Sequence, residues 1–217
     1  SPYVKNYPEL YFLNYVLFHR TNDEEIKPCR TYFWKKIKDK VQGKAMVEAA
    51  LEINHWCAGE VMYQGTDMRT GSALEIYRSG VGRCGEEAVF VVNVMRSAGI
   101  PARPVYVPRW SHCDDNHAWV EVWCDGDWHY LGACEPEAVL DKGWFTNAAS
   151  RAMMIGSRWY DRAMPDEKVI GKDGMNRIIN LLGKYAKTRW ITITVEDLDG
   201  TPAAGAKVRA EVMNYGE

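Results

Sequence analysis

Gly80-Val81-Gly82-Arg83-Cys84-Gly85-Glu86-Glu87-Ala88-Val89-Phe90 sets a glycine-rich turn directly before a run that reads as helix. The run continues through Val91-Val92-Asn93-Val94-Met95-Arg96-Ser97-Ala98, apolar almost all round, and Gly99 and Pro101 stop it. Such a helix belongs inside a domain, against a sheet. Its first turn carries Cys84. Unpaired N–H groups and partial positive charge at a helix start favour a thiolate; Arg83 pushes the same way, and Glu86 and Glu87 partly oppose it. A cysteine is more often packed in a core than reactive, so a partner base must decide its role.

Upstream, Tyr7 to His19 reads as a short buried helix with Pro8 in its first turn, and Thr31 to Lys40 as a second one. From Gly43 a longer helix carries Met46, Ala49, Ala50, Ile53, Trp56 and Cys57 as one apolar stripe, which leaves His55 off it. Ser72-Ala73-Leu74-Glu75 has the form of a capping box, so a short helix to Arg78 hands the chain to the turn before Cys84.

Downstream, Ala102 to Trp110 is extended, but Pro104 and Pro108 demote it to an edge or interrupted strand. His117-Ala118-Trp119-Val120-Glu121-Val122-Trp123 alternates, Asp125-Gly126 is a hairpin turn, and Trp128 to Cys134 returns. An antiparallel sheet carrying the central helix follows, which is an α+β arrangement. Between Glu135 and Lys187 the pattern is irregular, with a helix expected at Asn147 to Ile155 and a polar loop around Gly171-Lys172-Asp173-Gly174. Trp190 to Glu196 and Ala206 to Met213 alternate around a turn, as a hairpin.

The 217 residues are 47% hydrophobic and 26% charged with a net charge of −2, which suits a folded chain and gives no argument for nucleic acid. No apolar run reaches the roughly 20 residues that span a bilayer, and no signal segment opens the chain. Cys29, Cys57, Cys84, Cys113, Cys124 and Cys134 are too irregular for a disulfide scaffold. His112-Cys113-Asp114-Asp115-Asn116-His117 holds metal-ligand types at a spacing that fits no metal motif. Trp110 and Trp144 are read as packing residues rather than the lining of a groove.

Among the five histidines, His117 opens a strand after a polar loop, where its side chain can meet a helix start and serve Cys84 as base. These residues match a known pattern. Gly82 to Glu86, Arg96-Ser97-Ala98-Gly99-Ile100-Pro101-Ala102-Arg103, His117 to Val122 and Trp128 to Leu131 resemble the transglutaminase-like superfamily, over about residues 60 to 140. Trp128 to Glu135 looks most like its peptide:N-glycanase branch. The resemblance implies a papain-like fold with Cys84 as nucleophile and His117 as general base and then acid. Its usual aspartate falls at Gly132 here, which cannot orient an imidazole.

Hairpin register then matters, because a one-residue slip exchanges the faces of a strand. A two-residue Asp125-Gly126 turn sets His117 opposite Cys134 and brings no carboxylate to it. A three-residue Cys124-Asp125-Gly126 loop sets Ala133 opposite and puts Glu135 on the histidine's face. Glu135 is the expected orienting acid, with Asp115 and Glu121 as fallbacks, or else a substrate contact as the glycanase likeness implies. The backbone N–H of Cys84 is one oxyanion donor, and Gln64 a guess for the second.

Two readings follow. One is a cysteine-dependent acyl-transfer enzyme on protein, peptide or glycopeptide amides, with hydrolysis favoured over cross-linking and no nucleotide, flavin or metal required. The other is a binding or scaffold module that has lost turnover. Residues 1–187 form the expected catalytic domain; 188–217 resemble the first hairpin of an immunoglobulin-like module through Gly200-Thr201-Pro202-Ala203-Ala204-Gly205-Ala206. That hairpin and the microbial relatives point outside the cytoplasm, the glycanase likeness inside it. Oligomeric state stays open.

Overall fold

A computed structural model describes residues 2–5, 7–67, 69–160, 165, 167–174 and 176–209. At the amino end, α1 (Glu9–Phe12) passes into a π-helical turn at Leu13–Leu17, so the single helix expected from Tyr7 to His19 is shorter and changes pitch. Helices α2 (Arg30–Val41) and α3 (Met46–Glu60) follow, then strand β1 (Met62–Tyr63), α4 (Ala73–Ser79), β2 (Val81–Gly82) and α5 (Cys84–Ser97). The stripe on α3 is buried at Met46, Ala49, Ala50, Ile53 and Cys57, and His55 is exposed as expected. Ser72 caps α4 reciprocally with Glu75. From Gly85 to Arg96 every residue of α5 is buried, as a helix apolar on all sides requires.

The main sheet has six strands: β3 (Ala102–Val107), β4 (His117–Cys124), β5 (Asp127–Leu131), β6 (Gly156–Trp159), β7 (Val169–Asp173) and β8 (Asn176–Asn180), in the order β5-β4-β3-β6-β8-β7. Strand β4 is the divider between two cores. Its Ala118, Val120, Val122 and Cys124 pack with α2, α3, α4 and α5, while Trp119 and Trp123 turn to a second cluster that holds Val105, Trp128, Phe145, Ile155 and Trp159. Short helices α6 (Thr146–Ala149) and α7 (Leu182–Tyr185) flank the second face. Buried Arg96 fastens the amino-terminal segment, donating to the carbonyls of Phe18, Arg20 and Ala102.

Several expectations are corrected. Strand β3 is interior, between β4 and β6, although it contains Pro104. A strand residue's N–H and C=O point to the same side, and the Pro104 carbonyl accepts from Ser157 Oγ, so its nitrogen also faces β6. The ladder to β6 pairs Tyr106 with Gly156, past the proline, so no bond is forfeited there. The helix expected at Asn147 to Ile155 is only α6, and the stretch read as irregular supplies β6, β7 and β8. Trp190 to Val195 has no ladder; a lone bridge joins Glu196 to Pro202, and Trp190 and Ile191 are 84% and 80% exposed. An isolated hairpin is marginal in water, in keeping with the lack of a ladder among the described residues. The end of its second strand, Ala210 to Met213, lies outside the described residues. Among the described residues no helix is long and apolar enough to cross a membrane.

Candidate active site

Cys84 owes its position to a tight entry. Gly80 ends α4 in the left-handed region (φ 69°), and the short parallel pair β1–β2 fixes the turn, with Gly80 and Gly82 carbonyls accepting from Met62 and Gln64 N–H. A Cβ at Gly82 would stand 3.1 Å from Glu86 Cβ, so the turn tolerates little bulk. Glu86 binds the neighbouring loop to the helix start: its carboxylate accepts from Arg83 N at 3.2 Å, Thr66 Oγ1 at 2.6 Å and Gly71 N at 3.0 Å.

The thiol environment corrects one expectation. Burial pushes the Cys84 thiol up, and the N–H groups of Ala118 and Gly85 together with Arg83 offset this only in part, while Glu87 adds to it. The helix start does not win against desolvation, and the resting thiol is protonated. His117, at the start of β4, is also buried. Its ring lies among Trp144, Phe145, Trp119 and Trp110, with centroids 4.7, 5.1, 5.9 and 6.3 Å away. This burial lowers its pKa to about 4 against an opposing pull from Asp115, so the imidazole is neutral near pH 7. Cys84 and His117 line one cavity of 210 Å³, together with Gly85 and Ala118.

The hairpin turn has two residues. Cys124 pairs with Asp127, and Asp125 and Gly126 both have positive φ (52° and 98°), as the tight primed turns require. By register alone no carboxylate should reach His117. Yet Glu135 does, by another route. Strand β5 ends at Leu131, Cys134 adopts φ 57°, and Gly132 bridges to Glu135, folding the chain back on itself. Glu135 Oε2 comes to 3.9 Å from His117 Nε2, and Oε1 accepts from Trp144 Nε1 at 3.0 Å. His117 Nε2 and Glu135 Oε2 are both buried with no hydrogen-bond partner, a gap that a small closure would fill.

Three supporting residues escape sequence reading. Asn54, buried on α3, donates to the Gly132 carbonyl at 2.9 Å and accepts from Cys134 N at 3.0 Å, clamping the turn from both ends. A buried polar residue beside an apolar stripe is the only signal the sequence offers. Trp144, 63% exposed, holds Glu135 and covers His117; it is more than a packing residue, whereas Trp110 is buried as expected. Glu87, 3% exposed, is raised to about 8 by burial and by Glu135 nearby.

Of the fallback acids, Glu121 is engaged elsewhere, and Asp115 reaches His117 through its charge. Glu121 pairs with Arg103 Nε at 2.7 Å and accepts from Tyr185 Oη, and Asp115 Oδ1 accepts from Asn116 N. Gln64 is exposed and does not line the cavity. Among the described residues no group of three or more His, Cys, Asp or Glu side chains is set to hold a metal ion.

The model of the transglutaminase-like superfamily matches residues 35–133, which takes in Cys84, His117 and Asn54 and stops two residues before Glu135. No curated protein matches the sequence. Solved structures that match include a candidate cysteine protease of Cytophaga hutchinsonii, at 17% identity over 70% of this chain and 57% of that one, with a TM-score of 0.40. LapG of Legionella pneumophila is 17% identical over 51% of this chain and 66% of its own, at a TM-score of 0.41. A candidate protease of Parabacteroides distasonis is 17% identical over 59% of this chain and 25% of its own, at 0.44. The chain thus spans a little over half the length of the first of these. What the comparisons show is thus a likeness of the core at residues 35–133 to the transglutaminase-like superfamily.

Proposed function

We propose that the chain is a cysteine-dependent acyl-transfer enzyme acting on amide bonds of proteins, peptides or glycopeptides, with Cys84 as nucleophile, His117 as base and then acid, and Glu135 as the orienting carboxylate. The observation that carries this reading is the shared cavity: Cys84 and His117 line it together, and Glu135 Oε2 stands 3.9 Å from His117 Nε2. With both groups neutral at rest, Cys84 gives its proton to His117 as Sγ attacks the carbonyl carbon. The C–N bond then breaks with its electron pair going to nitrogen, the imidazolium protonates that nitrogen, and a thioester remains on Cys84. Water adds to the thioester while His117 takes its proton, and the C–S bond breaks to return the thiol and release the acid. An imidazole that burial keeps from holding a proton passes it on readily, and Glu135 stabilises the charge while it lasts.

One observation favours a second reading. The 3.9 Å gap exceeds a hydrogen bond, and a site fixed in that state would belong to a binding module without turnover. Residues 188–217, with Trp190 and Ile191 so exposed, are taken as the start of a separate unit, in an extracytoplasmic setting. Reaction with p-nitrophenyl acetate tests the main reading. Intact-mass and peptide mapping should find one acetyl group on Cys84 that turns over, with the rate falling about 10²- to 10⁴-fold in His117→Ala. Equal acetylation of Cys84→Ala, or an acetyl group on Cys84 that never leaves, would overturn it, the latter in favour of the binding module.

A further inference from the structure

The cavity beside Cys84 is charged as well as concave. Arg83 and Arg158 line it, Asn22 and Asn116 add amides, and among its described lining residues there is no carboxylate. Arg158 projects from β6 and hydrogen-bonds with the Tyr160 hydroxyl, which donates to the Asn22 carbonyl at 2.7 Å. The guanidinium is therefore held in place while, among the described residues, no ion pair includes it. Arg83 is braced by Thr70 Oγ1 at 2.9 Å and the Arg69 carbonyl at 3.2 Å. Asn22 Oδ1 is buried without a partner; half a turn of the amide would present its N–H₂ instead. Glu24 accepts from the N–H groups of Thr21 and Asn22, and its charge reaches Tyr160.

We infer that this cavity is a subsite for a carboxylate carried beside the scissile amide bond, gripped by Arg158 and favoured by the charge of Arg83. The inference rests on Cys84 being the nucleophile and names what the substrate must carry. A guanidinium presents paired donors that match a carboxylate, and the protein walls of a concave site strengthen the attraction. The carboxylate is that of an acidic side chain or of a chain terminus.

Alkylation separates the two claims. Iodoacetate and iodoacetamide share a leaving group and differ in charge, so the ratio of their rates at Cys84, referred to the same ratio for glutathione, reads the field in the cavity. The ratio should exceed the glutathione value about tenfold. It should fall towards that value in about 1 M KCl and in Arg158→Gln, with Arg158→Lys in between; the salt arm decides the matter if Arg158→Gln does not fold. A ratio equal to that of glutathione would overturn the subsite and leave the nucleophile intact. A Cys84 that neither reagent modifies would overturn the nucleophile instead. Protection identifies the source: a capped peptide with internal Glu, or a Gln peptide with a free carboxyl end, should slow alkylation. Equal protection by a fully capped Gln peptide would count against the subsite.

Discussion

At Gly132 an added Cβ would stand 2.8 Å from Glu135 Cβ and would meet its carboxylate as well. The bare glycine is what allows Glu135 to fold into the space beside His117, where a side chain at position 132 would otherwise sit. Acid and glycine are therefore a matched pair. Glu135→Ala should lower turnover about 10²- to 10⁴-fold, the scale seen when an orienting carboxylate is lost, and Gly132→Asp added to it should recover at least about a tenth of that. Gly132→Asp alone should collide with Glu135 and lose activity. Steady-state kinetics on the three variants checks this, and a double variant no better than Glu135→Ala would sink the pairing. Cys84 and His117 are legible in the chain because each lies where a glycine-led helix or a strand begins. Glu135 is legible only by its chemistry. Sequence reading reaches it through a three-residue loop, whereas the molecule keeps a two-residue turn and reaches it through a left-handed Cys134.

Among the elements, α3 has a task that its stripe does not announce. Asn54 satisfies a carbonyl and an N–H of the turn after β5, and both would be buried and unpaired without it. Asn54→Leu should cost about 2–4 kcal/mol of stability and be read as a lower urea midpoint at unchanged slope. A midpoint within error of the parent would show that the clamp does not matter. The long helices α2, α3 and α5 are readable because their apolar positions recur over several turns. Strands β6 to β8 are not, and two glycines explain much of it. A Cβ at Gly156 would come within 3.1 Å of the Ile179 carbonyl, and one at Gly171 within 3.2 Å of Ile178 Cδ1. Close strand packing removes the side chains on which an alternating pattern depends.

For the whole molecule, two buried groups set opposing slopes in stability against pH. His117 falls to about 4 when folded, so the unfolded chain binds its proton more readily between about pH 4 and 6.5, and stability rises with pH across that window. Glu87 rises to about 8, so the folded chain holds its proton more tightly between about pH 4.5 and 8, and stability falls with pH there. The two partly cancel up to pH 6.5; above it Glu87 acts without this counterweight. Denaturant titrations should therefore show stability declining from pH 6.5 to 8 by at most about 1.4 kcal/mol per unit, and Glu87→Gln should flatten the decline. An equally steep decline in that variant would assign it to another group. The same burial that creates these slopes could not be read from the sequence, since it depends on two cores meeting across β4.

The stretch from Gly132 to Phe145 contributes Glu135 and Trp144, and Asn54, a bridge from Lys142 to Leu131 and the bonds between Asp141 and Tyr130, rather than a ladder, hold it to the body. In the proposed mechanism, nucleophile and base are thus mounted on the frame while the orienting acid rides on a clamped turn, so that unfastening the turn would silence the chemistry and leave the architecture standing.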